Sequence, residues 1–100
     1  MLEARIEKHF DDTVKRLGGE TRKLVYPGRR GATDRLVLLP DCHCVVELKR
    51  PGGPPPRVNQ SREHAKLRWA GFDVYVLSTI EEVDEWACLL HDWLNAASLD

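Results

Sequence analysis

Asp34, Glu47 and Lys49 are the residues whose types and spacing could do chemistry. In an extended segment, side chains alternate, so Val45, Glu47 and Lys49 share one face while Cys44, Val46 and Leu48 share the other. Asp34 opens the preceding extended run, and hairpin pairing across a four-residue connection brings it opposite the end that carries Glu47 and Lys49. Two carboxylates held that closely repel each other unless a proton or a cation intervenes. An oxygen-rich pair with room for water suits Mg²⁺, which binds through one or two carboxylates and keeps several waters. Such an ion would activate water and stabilise phosphate oxygens, while Lys49 would hold the attacking water and offset negative charge as it develops. An ordinary cross-strand salt bridge from Lys49 to either carboxylate stays open as the alternative, because so short a pattern recurs by chance.

The elements that must position these groups follow an α-β-β-β-α-β-α order. Leu2, Ile6, Phe10, Val14 and Leu17 form one apolar helical stripe, ended by Gly18 and Gly19. Residues 23–26 read as a short strand, followed by the basic, glycine-bounded turn 27–31. Residues 35–39 and 44–49 form an antiparallel hairpin joined by Pro40, Asp41, Cys42 and His43. The Pro/Gly run 51–56 can be neither helix nor central strand, and is too short to divide domains. A helix over 59–70 stops at Gly71, residues 72–78 alternate as a strand, and a last helix starts near Ile80. Its stripe is Val83, Trp86, Leu90, Trp93, Leu94 and Ala97, with Glu81, Glu82 and Glu85 near its N-terminus.

One hundred residues, 42% of them hydrophobic, suit one core, and we expect a single domain over 1–100. No apolar run is long enough to span a bilayer and the first residues are charged, so the expected location is the cytoplasm. The formal net charge of -1 excludes a uniformly basic coat protein, yet residues 22–57 carry eight basic against three acidic residues, a local +5. That third is where a polyanionic partner would bind. Three cysteines without an export signal imply reduced thiols. The adjacent Cys42, His43 and Cys44 cannot wrap a tetrahedral zinc and read as a tight turn with Cys44 inward. Trp69, Trp86 and Trp93 lie on helical stripes and are expected to pack in the core or cover a dimer interface.

The segments GGETRKLVYPGRRGATDRLVLLP and VVELKRPGG, Gln60 with Glu63 and His64, and LRWAGFDVYVLSTIEEVDEW together resemble the stand-alone, virus-type VRR-NUC nucleases of the PD-(D/E)XK superfamily. The resemblance covers nearly all of residues 2–86. It implies a restriction-endonuclease-like α/β (α+β) fold, a mixed sheet flanked by helices. It also implies a divalent cation, Mg²⁺ or Mn²⁺, held by Asp34, Glu47 and the backbone carbonyl of Leu48, with Lys49 as the motif lysine and Gln60 beside the site. The superfamily's first helix supplies a further glutamate, here Glu7, reaching the metal directly or through water, with Glu3 as the alternative. Family members commonly have proline before the motif aspartate, where this chain has Thr33.

The same resemblance makes Arg29, Arg30, Arg35 and Arg50 candidates for phosphate contacts, which position a duplex without reading bases. His64, one helical turn after Gln60, would approach DNA or be solvated. With no recognisable sequence-reading element, the expected activity is structure-selective cutting of branched DNA, such as a Holliday junction, by a homodimer. The rivals are a catalytically silent DNA-binding module and a sequence-specific restriction-type nuclease. A further expectation is that Arg29, Arg30 and Lys49 share one surface while Glu81, Glu82 and Glu85 lie elsewhere.

Overall fold

The computed structural model describes residues 2–25, 34–49 and 58–98, with side chains for 4–25, 34–49 and 61–95. Its elements keep the expected order: α1 (Leu2–Arg16), β1 (Glu20–Lys23), β2 (Asp34–Leu39), β3 (Cys42–Leu48), α2 (Val58–Trp69), β4 (Asp73–Leu77) and α3 (Ile80–Ser98). The strands form one mixed sheet in the order β1-β2-β3-β4. The first two pairings are antiparallel and the last is parallel, as expected where a helix, here α2, makes the crossover. Among the described residues, no helix is long and apolar enough to cross a membrane.

The four-residue spacing of Ile6, Phe10 and Val14 buries all three on the inner face of α1. They pack with Val83, Trp86 and Ala87 of α3 against Val37, Leu39, Cys42, Cys44, Val46, Leu48 and Leu77 of the sheet. The Phe10 and Trp86 rings meet at 5.1 Å between centroids, and His9 Nε2 lies 2.7 Å from Asp84 Oδ1 across the two helices. At the start of α3, Thr79 Oγ1 accepts the Glu82 N–H at 3.0 Å and Glu82 Oε1 accepts the Ser78 N–H at 3.0 Å, a reciprocal cap.

α1 ends in a Schellman turn. Gly18 takes φ 93°, its N–H donates to Lys15 O, and the Gly19 N–H reaches back to Val14 O. The chain then enters β1 at Glu20, rather than at residue 23 as its apolar residues suggested. The ladder with β2, from Glu20 opposite Leu38 to Lys23 opposite Arg35, sets the strand, and an edge strand needs no apolar side chains to pair. Gly19 is confined here: a Cβ on it would stand 2.5 Å from Leu38 O and 2.6 Å from Leu39 Cδ2. Gly19→Ala is therefore expected to lower stability by about 1–3 kcal/mol, as overpacking does. A urea midpoint equal to the parent's would contradict that close approach.

The β2–β3 connection is tighter than expected. Leu39 pairs with Cys42, so only Pro40 and Asp41 form the turn, and Asp41 adopts φ 56°. Proline followed by a positive-φ residue is the combination a type II turn uses. Cys42 and His43 thus belong to β3 and are no turn. Cys42 and Cys44 point into the core with sulfurs 2.8 Å apart, while the exposed His43 occupies the opposite face, so the three cannot share one metal. The hydrogen bond between the thiols, with burial adding to it, pushes the Cys44 thiol well up; the same bond holds Cys42 below the usual thiol range.

Of the three tryptophans, only Trp86 is a core residue. Trp93 is about half exposed and Trp69 is 89% exposed. Trp69 follows His64 by five residues, about 140° around the helix, and so turns away from the inward side of α2.

Candidate active site

The shortened turn places Asp34 directly opposite Glu47. Alternation directs both carboxylates to the sheet face away from α1 and α3, because their strand neighbours Val46 and Leu48 belong to the core on the other side. Each is only 1% exposed. α2 crosses this second face and lowers His64, 4% exposed, onto the pair. His64 Nε2 lies 3.6 Å from Asp34 Oδ2 and 3.9 Å from Glu47 Oε2. One ligand atom from each of the three residues falls within 4.8 Å of the other two, and no other such group occurs among the described residues.

The electrostatics suit a cation. Burial, with the neighbouring Asp34 charge adding to it and the Lys49 ammonium opposing it, pushes the Glu47 carboxyl from 4.5 up to about 7. Lys49 is thereby within electrostatic reach of Glu47, as alternation along β3 required. Its N–H donates to Leu77 O at 2.9 Å, which extends the β3–β4 ladder to the site. His64 Nε2 is buried and has no hydrogen-bond partner. Two buried carboxylates and a buried ring nitrogen make a donor set that could hold a divalent ion.

The sign of the Glu47 shift yields a prediction. Between pH 4.5 and about 7 the folded state holds a proton that the unfolded state has lost, so stability falls as pH rises through this window. Thermal unfolding in a chelator should show the midpoint dropping across that range, and Mn²⁺ added at pH 8 should raise it. A midpoint that climbs over the same range would contradict the buried carboxylate pair.

Other expected site residues stand elsewhere. Arg35, next to Asp34, faces the opposite side of the sheet, where its side chain is 8% exposed. Its Nη2 lies 3.2 Å from Glu7 Oε1 and its Nε 3.6 Å from Asp11 Oδ1. This corrects two expectations: the Arg35 guanidinium ties α1 to the sheet instead of presenting itself to phosphate, and Glu7 is bound up in that pair, outside the Asp34–Glu47–His64 cluster. Gln60 lies on α2 one turn before His64, but its side chain, like that of Glu3, is outside the described residues, as are Arg29, Arg30, Thr33 and Arg50. The exposed Glu81 and Glu85, with the half-buried Glu82, belong to α3 on the far side of the sheet from the carboxylates; the other half of that expectation, a surface shared by Arg29, Arg30 and Lys49, falls on arginines outside the described residues.

His64 is the residue whose place the sequence hid. Its spacing predicts a residue that approaches DNA or water, yet among the described side chains of α2 it is the buried one. The usable signal was topological: a crossover helix between parallel strands must cover the sheet face that the other helices leave open.

No family model matches the chain. It is 47% identical over 78 residues to the protein named "Putative nuclease p44" of Acyrthosiphon pisum secondary endosymbiont phage 1, an alignment covering 77% of this chain and 83% of the relative. A solved structure described as a VRR_NUC domain superposes with a TM-score of 0.74 at 38% identity, over 85% of this chain and 92% of that one.

Proposed function

Since the chain belongs to the VRR-NUC family, with its restriction-endonuclease-like fold, we propose that it is a divalent-metal-dependent DNA endonuclease that prefers branched substrates. The observation that carries this reading is the pair of opposed, buried carboxylates, Asp34 and Glu47, beneath His64. When bound there, Mg²⁺ or Mn²⁺ supplies Lewis acidity toward a phosphate oxygen and makes water a better nucleophile.

The chain's own residues do the rest. Asp34, Glu47 and the Leu48 carbonyl hold the cation, and Lys49, on the strand face of Glu47, orients the attacking water and offsets the charge that gathers on the phosphorus-bound oxygens. Gln60 adjoins the site from the first turn of α2. Arg29, Arg30 and Arg50, which flank β2 and β3 in sequence, grip the phosphates on either side of the cut. In this reading residues 1–100 are one nuclease domain acting in the cytoplasm of a bacterial or phage-infected host. Two copies related by a two-fold axis then cut the two symmetric strands of a junction.

Incubation with a four-way junction and with linear duplex of the same sequence, in Mg²⁺, Mn²⁺ or EDTA, tests the proposal. Metal-dependent cuts near the branch point are expected. Binding without cutting on either substrate would reduce the protein to a silent module, and discrete fragments from long linear DNA would make it a restriction-type enzyme.

A further inference from the structure

The two carboxylates account for the charge of the site but not for the buried nitrogen held above them. We infer that His64 Nε2 is a third protein ligand of the cation, alongside Asp34 and Glu47, and that this nitrogen makes the site prefer Mn²⁺ to Mg²⁺. The inference rests on the reading of this site as a metal centre and goes beyond it by naming a ligand and a metal preference.

Three features of the structure support it. First, the distances fit one ion. Ligands about 2.1 Å from a common octahedral centre lie about 3 Å apart when adjacent and about 4.2 Å apart when opposed. The 3.6 and 3.9 Å separations from Nε2 are wider than the adjacent spacing, so the donor atoms need draw together by less than about 1 Å to share one ion. Second, Nε2 is buried without a hydrogen bond, although a buried polar atom is costly to leave unsatisfied. A lone pair directed at a cation satisfies it. Third, the imidazole is mounted on a helix that spans the site as the β3–β4 crossover and not on a loop, so its aim is set by the same backbone that closes the sheet.

The choice of metal follows from donor chemistry. Carboxylate, carbonyl and water oxygens serve Mg²⁺ and Mn²⁺ alike, whereas an imidazole nitrogen favours transition ions over Mg²⁺. The site therefore holds Mn²⁺ with one donor that Mg²⁺ uses poorly.

Pulsed EPR of the full chain loaded with Mn²⁺, together with calorimetric titration of Mn²⁺ and of Mg²⁺, tests the inference without measuring cutting. Modulation from a directly bound nitrogen is expected in the parent chain and lost in His64→Gln. The same substitution should weaken Mn²⁺ at least about tenfold, since even the loss of a group behind a ligand costs that much. Its effect on Mg²⁺ should stay within about twofold, because the oxygen donors remain. If His64→Gln does not fold, a chain with His9, His43 and His91 changed to Gln keeps His64 as its only imidazole, and its nitrogen signal decides the question. Saturable Mn²⁺ binding without nitrogen modulation would overturn the inference and leave the metal centre standing. Failure of both ions to bind would overturn the inference and the metal centre together.

Discussion

Lys49→Ala is expected to cut DNA about 10³-fold more slowly than the parent chain, with its fold intact and its Mn²⁺ affinity changed by no more than about twofold. The loss matches what a positioned proton-handling or charge-stabilising group supplies to a transition state. The fold survives because alanine retains the Lys49 N–H bond to Leu77 O and because the side chain that is removed is only half-buried. Metal binding survives because an ammonium is not a ligand, and its removal, if anything, makes the site more negative. Single-turnover cutting of a junction, with circular dichroism and Mn²⁺ titration of the same sample, measures all three. A rate within tenfold of the parent would show that Lys49 does not touch the reacting atoms.

Glu47→Gln separates function from stability in a way that surface carboxylates cannot. The amide has nearly the same shape but carries no charge, so the variant should lose saturable metal binding and cut at the level of the EDTA control. In chelator at pH 8 it should also be more stable than the parent by up to about 3 kcal/mol. That bound is the cost of ionising Glu47 in the fold, from the difference between 4.5 and about 7. The gain should vanish below pH 4.5, where the parent's Glu47 is protonated in both states. A variant less stable than the parent at pH 8 would mean that the Glu47 charge is already compensated without a metal.

Much of this molecule was legible because the signals were local. The strand periodicity of 45–49 announced that Glu47 and Lys49 share a face, and the stripe Ile6, Phe10, Val14 announced α1 and its buried side. What escaped depended on contacts distant in sequence or on backbone angles. A positive φ at Asp41 is invisible in an aspartate, so the hairpin turn looked two residues longer than it is. Arg35 seemed a phosphate ligand because its partners Glu7 and Asp11 come from a helix far away in sequence. His64 lies on a helix whose inward side is polar, so no apolar stripe marked that side as covered. Trp69 shows the reverse: its helical stripe suggested core packing, yet the side chain is exposed, which leaves only the dimer-interface alternative for it.

The opposed charges at the start of β2 also bear on how the chain avoids misfolding. Asp34 and Arg35 are consecutive, and each is matched only on its own side of the sheet: the carboxylate beneath α2, the guanidinium against the acids of α1. Slipping the hairpin by one residue would exchange them, setting an acid against the acids of α1 and a base beneath α2, and would turn the apolar set of β2 outward as well. Mispaired intermediates are thus penalised twice, by solvation and by charge. The dipeptide that begins the strand acts as a proofreading element for its pairing.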